Sequence, residues 1–238
     1  QRIDRLTRLK NFAAPLACMV LAACGSSEPE PVPTPTPTVA APRTLIGADL
    51  DLSTLGARIV GPQGAEIETA LSNGTRQVGT LVSYVACPEG IETCNPGELP
   101  DDTVYTYVHK VTLAEIDDVG ADEAIDAPAT GEAPPTLFRT TRKVSGFTQS
   151  VGYSTAEAEA ALGDPDAISI INDNGNLIWR VARGPGWQPG GTVTLWWRST
   201  MAPQGPAEAY LQEVDGEQIA ATGPFPPEEK PVEGSAAR

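Results

Sequence analysis

The sequence predicts a mainly β fold: an antiparallel β-sandwich-like domain with one short helix near residues 155–162. Three observations predict it. Runs rich in β-branched and aromatic residues recur at 78–85, 104–113, 137–144, 168–172, 177–182 and 193–199, the composition that suits a pleated, half-buried surface. Asn174-Gly175 separates two apolar runs, and Asn73-Gly74 repeats the signal between Ile67 and Val78; Asn-Gly tolerates the positive φ that a tight hairpin turn requires. Only one segment carries a full set of helix signals.

In that segment Ser154 can cap the first turn and Glu157 can reach back to it. Ala156, Ala158, Ala160, Ala161 and Leu162 favour helix, Gly163 can take the left-handed stop, and Pro165 follows. Thr112 with Glu115 has the same spacing and predicts a second, brief turn. Residues 206–214 fit two patterns. Ala207, Tyr210, Leu211 and Val214 have helical spacing, whereas Asp215-Gly216 followed by residues 218–222 reads as a hairpin. Strand is preferred, because the neighbouring segments are strands. Residues 114–135 hold Glu115, Asp117, Asp118, Asp122, Glu123, Asp126 and Glu132 with no basic residue, and end in Pro134-Pro135. They read as a long acidic loop within one domain spanning 44–222, long enough for a real core. The alternative is a break between two sub-domains, 44–113 and 136–222.

Proline marks both ends. Residues 25–43 contain Pro29, Pro31, Pro33, Pro35, Pro37 and Pro42. Such a segment favours polyproline II and, at ~3.1 Å per residue, makes a semi-rigid linker of roughly 60 Å. Residues 223–238, with Pro224, Pro226, Pro227, Pro231, Glu228, Glu229 and Glu233, read as a disordered tail.

The chain has 238 residues, 16 Lys+Arg, 31 Asp+Glu and a formal net charge of −15. That balance argues against a nucleic-acid partner, because phosphate contacts need clustered cations. One His and four Cys suit neither a His-rich zinc site nor an iron–sulfur cluster. No cofactor and no metal ion is expected.

The first 27 residues have a distinct layout. Arg2, Arg5, Arg8 and Lys10 precede an apolar run at 12–23, and Cys24-Gly25-Ser26-Ser27 follow. A positive stretch, a short apolar core and then small residues describe a secretory signal. As a helix the run would be ~18 Å long, too short for a ~30 Å hydrocarbon core. Leu21-Ala22-Ala23-Cys24 resembles the lipobox of bacterial lipoprotein precursors. The resemblance implies a signal peptide at 1–23 and a mature chain that starts at Cys24 with a diacylglycerol thioether and usually an N-acyl group. Two or more acyl chains (palmitate among them) give stable membrane anchoring where one binds only reversibly. Gly25, in place of the Asp that favours inner-membrane retention in enteric bacteria, points to the outer membrane facing the periplasm. The chain opens on Gln1, so the expected translation start lies upstream or at a non-standard codon. Removing Arg2, Arg5, Arg8, Lys10 and Asp4 leaves 12 basic and 30 acidic residues. So acidic a surface is repelled by anionic headgroups, and the lipid must do the holding.

With Cys18 in the signal and Cys24 acylated, Cys87 and Cys94 remain. In an oxidising periplasm they are expected to form a disulfide across a short loop. The acidic loop lacks the alternating ligand spacing of a calcium site, and Asp164-Pro-Asp166 and residues 172–176 read as turn chemistry.

All four tryptophans, Trp179, Trp187, Trp196 and Trp197, fall within 19 residues. Trp187 sits in a Gly/Pro-rich loop. Trp196 and Trp197 are adjacent on a strand and must point to opposite faces. One joins the core with Trp179; the other is covered by the chain or faces outward. Arg183, with Arg180 and Arg198, can stack on indole faces. Trp179, Trp187, Trp196, Trp197 and Arg183 are therefore the candidate binding residues, an aromatic platform for a glycan or a partner segment. Catalytic signals are sparse. His109 is the only His, no Gly-x-Ser-x-Gly elbow occurs, and no Gly-rich phosphate loop leads from strand to helix. The expected function is a membrane-anchored, non-catalytic binding or assembly module of the envelope, with an envelope protein or glycan as partner. The alternatives are a carboxylate-based glycan hydrolase and a purely structural spacer.

Overall fold

A computed structural model describes residues 41–115, 136–214 and 216–228. Eleven strands are present among them: β1 (Arg43–Leu45), β2 (Ile67–Ser72), β3 (Gln77–Ala86), β4 (Tyr105–Leu113), β5 (Leu137–Thr140), β6 (Phe147–Tyr153), β7 (Ile168–Asp173), β8 (Asn176–Val181), β9 (Thr192–Ser199), β10 (Gly205–Val214) and β11 (Glu217–Phe225). One α-helix, α1 (Thr155–Leu162), lies between β6 and β7. The strands form two antiparallel sheets, one of six strands in the order β1-β7-β8-β5-β10-β11 and one of five in the order β2-β3-β4-β9-β6. The mainly β, sandwich-like architecture with a single short helix is as expected. Among the described residues no helix is long and apolar enough to cross a membrane.

Both sheets draw strands from either side of the acidic stretch: β1 joins β5, β7, β8, β10 and β11, while β2, β3 and β4 join β6 and β9. The core is therefore shared, and a division at 114–135 would cut through both sheets. The acidic loop itself, beyond the exposed Glu115, lies outside the described residues.

The hairpin signals acted through different chemistry. In β7–β8 both Asn174 (φ 51°) and Gly175 (φ 90°) are left-handed, as a two-residue turn demands. In β2–β3 only Gly74 (φ 91°) is; there the Asn73 side-chain carbonyl accepts the backbone N–H groups of Thr75 and Arg76 (3.0 and 2.9 Å), an Asx turn. Residues 206–214 are strand. Three corrections apply. No helical turn opens at Thr112, which stays in β4 and hydrogen-bonds the hydroxyl of Thr192. Strand β5 ends at Thr140 instead of continuing to 144. Strand β11 runs to Phe225, so residues 223–225 belong to the sheet and the tail starts later than 223.

Helix α1 keeps its expected bounds. The Ser154 hydroxyl accepts the Glu157 N–H (3.3 Å) and Gly163 (φ 76°) ends the helix. Glu157 does not turn back to its cap. Its carboxylate accepts the backbone N–H of Thr194 at 2.5 Å, pinning the helix to β9.

Three of the four outermost strands meet a neighbour, and the fourth, β1, is only three residues long. Strand β2 lies against β11, with the Thr69 hydroxyl donating to the Thr222 carbonyl (2.9 Å). At the other side Ala48 forms a parallel bridge with Gly152 of β6, and β6 itself is bulged, with Gln149 at φ 66°.

Candidate functional site

Alternation along β9 fixes the tryptophan pair. Val193, Leu195 and Trp197 face the six-stranded sheet, and Trp196 faces away. Trp197 lies in register with Tyr107 on β4 and Val151 on β6. It stacks on Tyr107 at 4.2 Å between ring centroids and is fully buried. Its indole N–H donates to Nε2 of His109 at 3.1 Å. That bond fixes the imidazole tautomer: Nε2 is the acceptor, so Nδ1 carries the proton and faces the Ser83 hydroxyl at 3.0 Å. His109 also packs against Tyr210 and Phe138, with centroids 4.4 and 5.5 Å away. Complete burial penalises the imidazolium and lowers the His109 pKa from 6.5 to about 3. The same burial pushes Tyr107 and Tyr210 well above their ordinary value. The Ser–His pair therefore sits where no external substrate reaches it. Its role is to satisfy polar groups inside an aromatic core.

Trp196 occupies the outer face of the five-stranded sheet, in one register row with Val108 and Tyr84. It is also buried. Leu50 and Leu55 pack over this cluster from the segment between β1 and β2. That segment is fastened by the Ala48 N–H to the Val151 carbonyl (3.0 Å), by the Tyr153 N–H to the Ala48 carbonyl (3.2 Å) and by the Thr155 N–H to the Asp49 carboxylate (3.1 Å). The Arg198 guanidinium lies 5.4 Å from the Trp196 ring centroid. Among the described residues the Trp196 N–H and the Thr194 hydroxyl, both buried on this face, meet no hydrogen-bond partner.

Trp179 is in the inter-sheet core, its N–H donating to the Gly152 carbonyl (3.0 Å) and its ring 5.9 Å from Phe138. Trp187 alone is partly exposed. It packs against the core and donates to the Gly191 carbonyl (3.0 Å), which folds its loop back on itself. Arg183 is exposed.

The expected aromatic platform is thus not assembled. Trp179, Trp196 and Trp197 are each at most 2 % exposed and cannot contact a ligand on the surface, because period-2 alternation sends two inward and a chain segment roofs the third. Only Trp187 and Arg183 of the candidate set reach solvent. Cys87 and Cys94 do come together at disulfide distance, with Cα atoms 5.7 Å apart. The bridge closes the loop after β3 and is itself buried. Among the described residues no group of three or more His, Cys, Asp or Glu is placed to hold a metal ion.

One groove was not foreseen. It measures about 190 Å³ and lies where β5, β10 and β11 converge, lined by Arg142, Gln204, Gly205, Pro206, Ala207, Phe225 and Pro226. Phe225 forms its buried floor, and Arg142, on its wall, donates from Nη2 to the Glu228 carboxylate at 2.8 Å. The sequence signal was weak, since Phe225 and Glu228 fall in a Pro-rich run that composition alone assigns to a tail. Compared with known proteins, the chain matches no family model, no curated protein and no solved structure.

Proposed function

We propose that this protein is a lipid-anchored envelope lipoprotein whose β-sandwich is a non-catalytic binding or assembly module carried on a Pro-rich spacer. The observation that carries the reading is the order of features along the chain. A basic stretch, an apolar run, Leu21-Ala22-Ala23-Cys24 and six prolines lead into a sandwich whose first strand begins at Arg43. Cys24 is the acylated residue, Gly25 favours the outer membrane, and the periplasm supplies the oxidising environment for Cys87–Cys94. The non-catalytic part is supported by the burial of His109 and its Ser83 neighbour, which leaves that pair no path to a substrate.

Replacing Cys24 with Ser tests the anchor. The native chain should incorporate a labelled fatty acid and sediment with membranes, and the variant should do neither. Equal partitioning of the two forms overturns the reading.

A second reading, a structural spacer, is favoured by the internal position of three of the four tryptophans. Trp187→Ala separates the two. Weakened capture of an envelope protein or glycan with an unchanged thermal midpoint supports the binding module. A lowered midpoint with unaltered capture supports the spacer. The hydrolase alternative loses its aromatic platform with Trp179, Trp196 and Trp197 inside the fold.

A further inference from the structure

We propose that the outer face of the six-stranded sheet is a docking surface for a second copy of this chain, in a two-fold dimer centred between β5 and β10. This deepens the assembly half of the proposed function. It does not use the lipid, so fractionation of the Cys24 variant and the measurement below can fail independently.

The two outer faces of the sandwich differ. That of the five-stranded sheet is roofed by Leu50 and Leu55. On the six-stranded sheet, one register row places Ile171, Ile178, Arg139 and Leu211 side by side, and the next places Arg180, Leu137 and Glu213. Alternation points these side chains away from Ile170, Leu177, Phe138 and Tyr210, which fill the inter-sheet core. Among the described residues Ile171, Ile178, Leu137 and Leu211 belong to neither hydrophobic cluster. Leu137 and Leu211 keep 8 % and 9 % of their surface, so the half-buried Ile171 and Ile178 offer most of the apolar area. Neighbouring aliphatic side chains without a packing layer mark an interaction face.

The charges choose the occupant. Leu137 and Arg139 on β5 stand beside Glu213 and Leu211 on β10. The four form a square with one aliphatic diagonal and one diagonal of opposite charges. A two-fold axis along the Leu137–Leu211 diagonal brings Arg139 of each copy to Glu213 of the other. The contact is isologous, so both pairs form at once. Among the described residues Arg139 has no hydrogen-bond or ion-pair partner, and Glu213 accepts from the Gln218 amide at 3.1 Å. With a net charge of −15, copies repel one another in most orientations; this face sets a cation opposite a carboxylate instead. The six strands, about 4.8 Å apart and about 17 Å long, span roughly 400 Å² per copy. The pair would bury about 800 Å², below the ~1,200 Å² of stable complexes. The dimer is therefore weak in free solution and forms where copies are held close together.

The test is sedimentation equilibrium of the full-length protein from micromolar to millimolar concentration, with detergent micelles outnumbering copies. A monomer–dimer equilibrium is expected. Arg139→Glu and Glu213→Arg should each weaken it about tenfold, because each sets like charges together. Mixing the two variants should restore it, since both crossed positions of the mixed dimer then pair opposite charges. Neither side chain lies in the core, so both thermal midpoints should match the parent. Monomer alone at every concentration would overturn the proposal, as would a dimer that either substitution leaves unchanged or a mixture that stays monomeric. NMR at the Arg139 side-chain N–H tests the remaining occupant. A concentration-independent shift on neutralising Asp117, Asp118, Asp122 and Glu123 would make the chain's own acidic stretch the occupant and overturn the dimer.

Discussion

Trp197 and Trp196 are neighbours on β9 and equally hidden from solvent, but by different means. Trp197 lies between the sheets, stacked on Tyr107, with its N–H satisfied by His109. Trp196 lies on the outer face under Leu50 and Leu55, and its N–H meets no partner among the described residues. The first is held by strands on every side. The second is held by an irregular segment fastened by hydrogen bonds at its two ends, at Ala48 and Asp49 on one side of Leu50 and at Gly56 and Ala57, which pair with Cys87, just after Leu55. Burial as a fraction of area does not distinguish them; what differs is how many groups must move for water to enter. Local opening should therefore expose Trp196 at a free energy well below that of global unfolding.

Acid should break the inner arrangement first and most. His109 has a pKa of about 3 in the fold and about 6.5 when unfolded, so the unfolded chain takes up the proton first as pH falls. The stability that depends on a neutral His109 is complete above pH 6.5. It declines as pH drops towards 3, by as much as roughly 5 kcal/mol at about 1.36 kcal/mol per unit. Urea titrations at pH 7, 5.5 and 4 should show a shallower decline for His109→Gln than for the parent; parallel curves refute the role.

Truncation sharpens the contrast. Trp197→Ala should cost about 5 kcal/mol, since it opens a cavity and strands Nε2 of His109. Trp196→Ala should cost about 3 kcal/mol, because Leu50 and Leu55 can settle into the space. Chemical denaturation that ranks them the other way would show that the roof is as rigid as the core.

A Cβ at Gly152 would collide with the Ala48 carbonyl. Gly152→Val should lift the roof, costing roughly 2 kcal/mol. It should redshift and expose to quencher one indole, with the near-UV signal of the inner aromatic stack retained. Loss of both signals would mean that the segment and the core unfold together.

Removing only the N–H gives a smaller effect. Trp197→Phe should cost about 2 kcal/mol through the unpaired His109, and Trp196→Phe less than about 1 kcal/mol. Equal costs would reveal a hidden acceptor for Trp196. The smallest effect belongs to the helix beside this face: Ser154→Ala should cost about 1 kcal/mol, read from the thermal midpoint.

Much of the fold was legible because strand alternation and turn chemistry are local. Asn174-Gly175 specified a hairpin, Ser154 and Gly163 bounded a helix, and the adjacency of Trp196 and Trp197 required opposite faces. What was missed depends on distant partners. Strand β6 escaped notice because Thr148-Gln149-Ser150 breaks the alternation at a bulge, and the pairing that rescues it comes from β9, some fifty residues away. Glu157 had a plausible local partner but bonds Thr194 instead. The roof over Trp196 carries no periodic signal, since Leu50 and Leu55 sit in an irregular segment. The Arg142 groove was invisible for the same reason. Its floor and its cation are 83 residues apart in sequence, and composition disguised the floor as tail.

The bulge at Gln149, the three-residue length of β1 and the seam between β2 and β11 share a consequence. None of these borders offers a long flat row of free amides and carbonyls to a second molecule, so growth by strand addition has no template. A β-rich body bordered in this way can reach a high local concentration without nucleating fibrils.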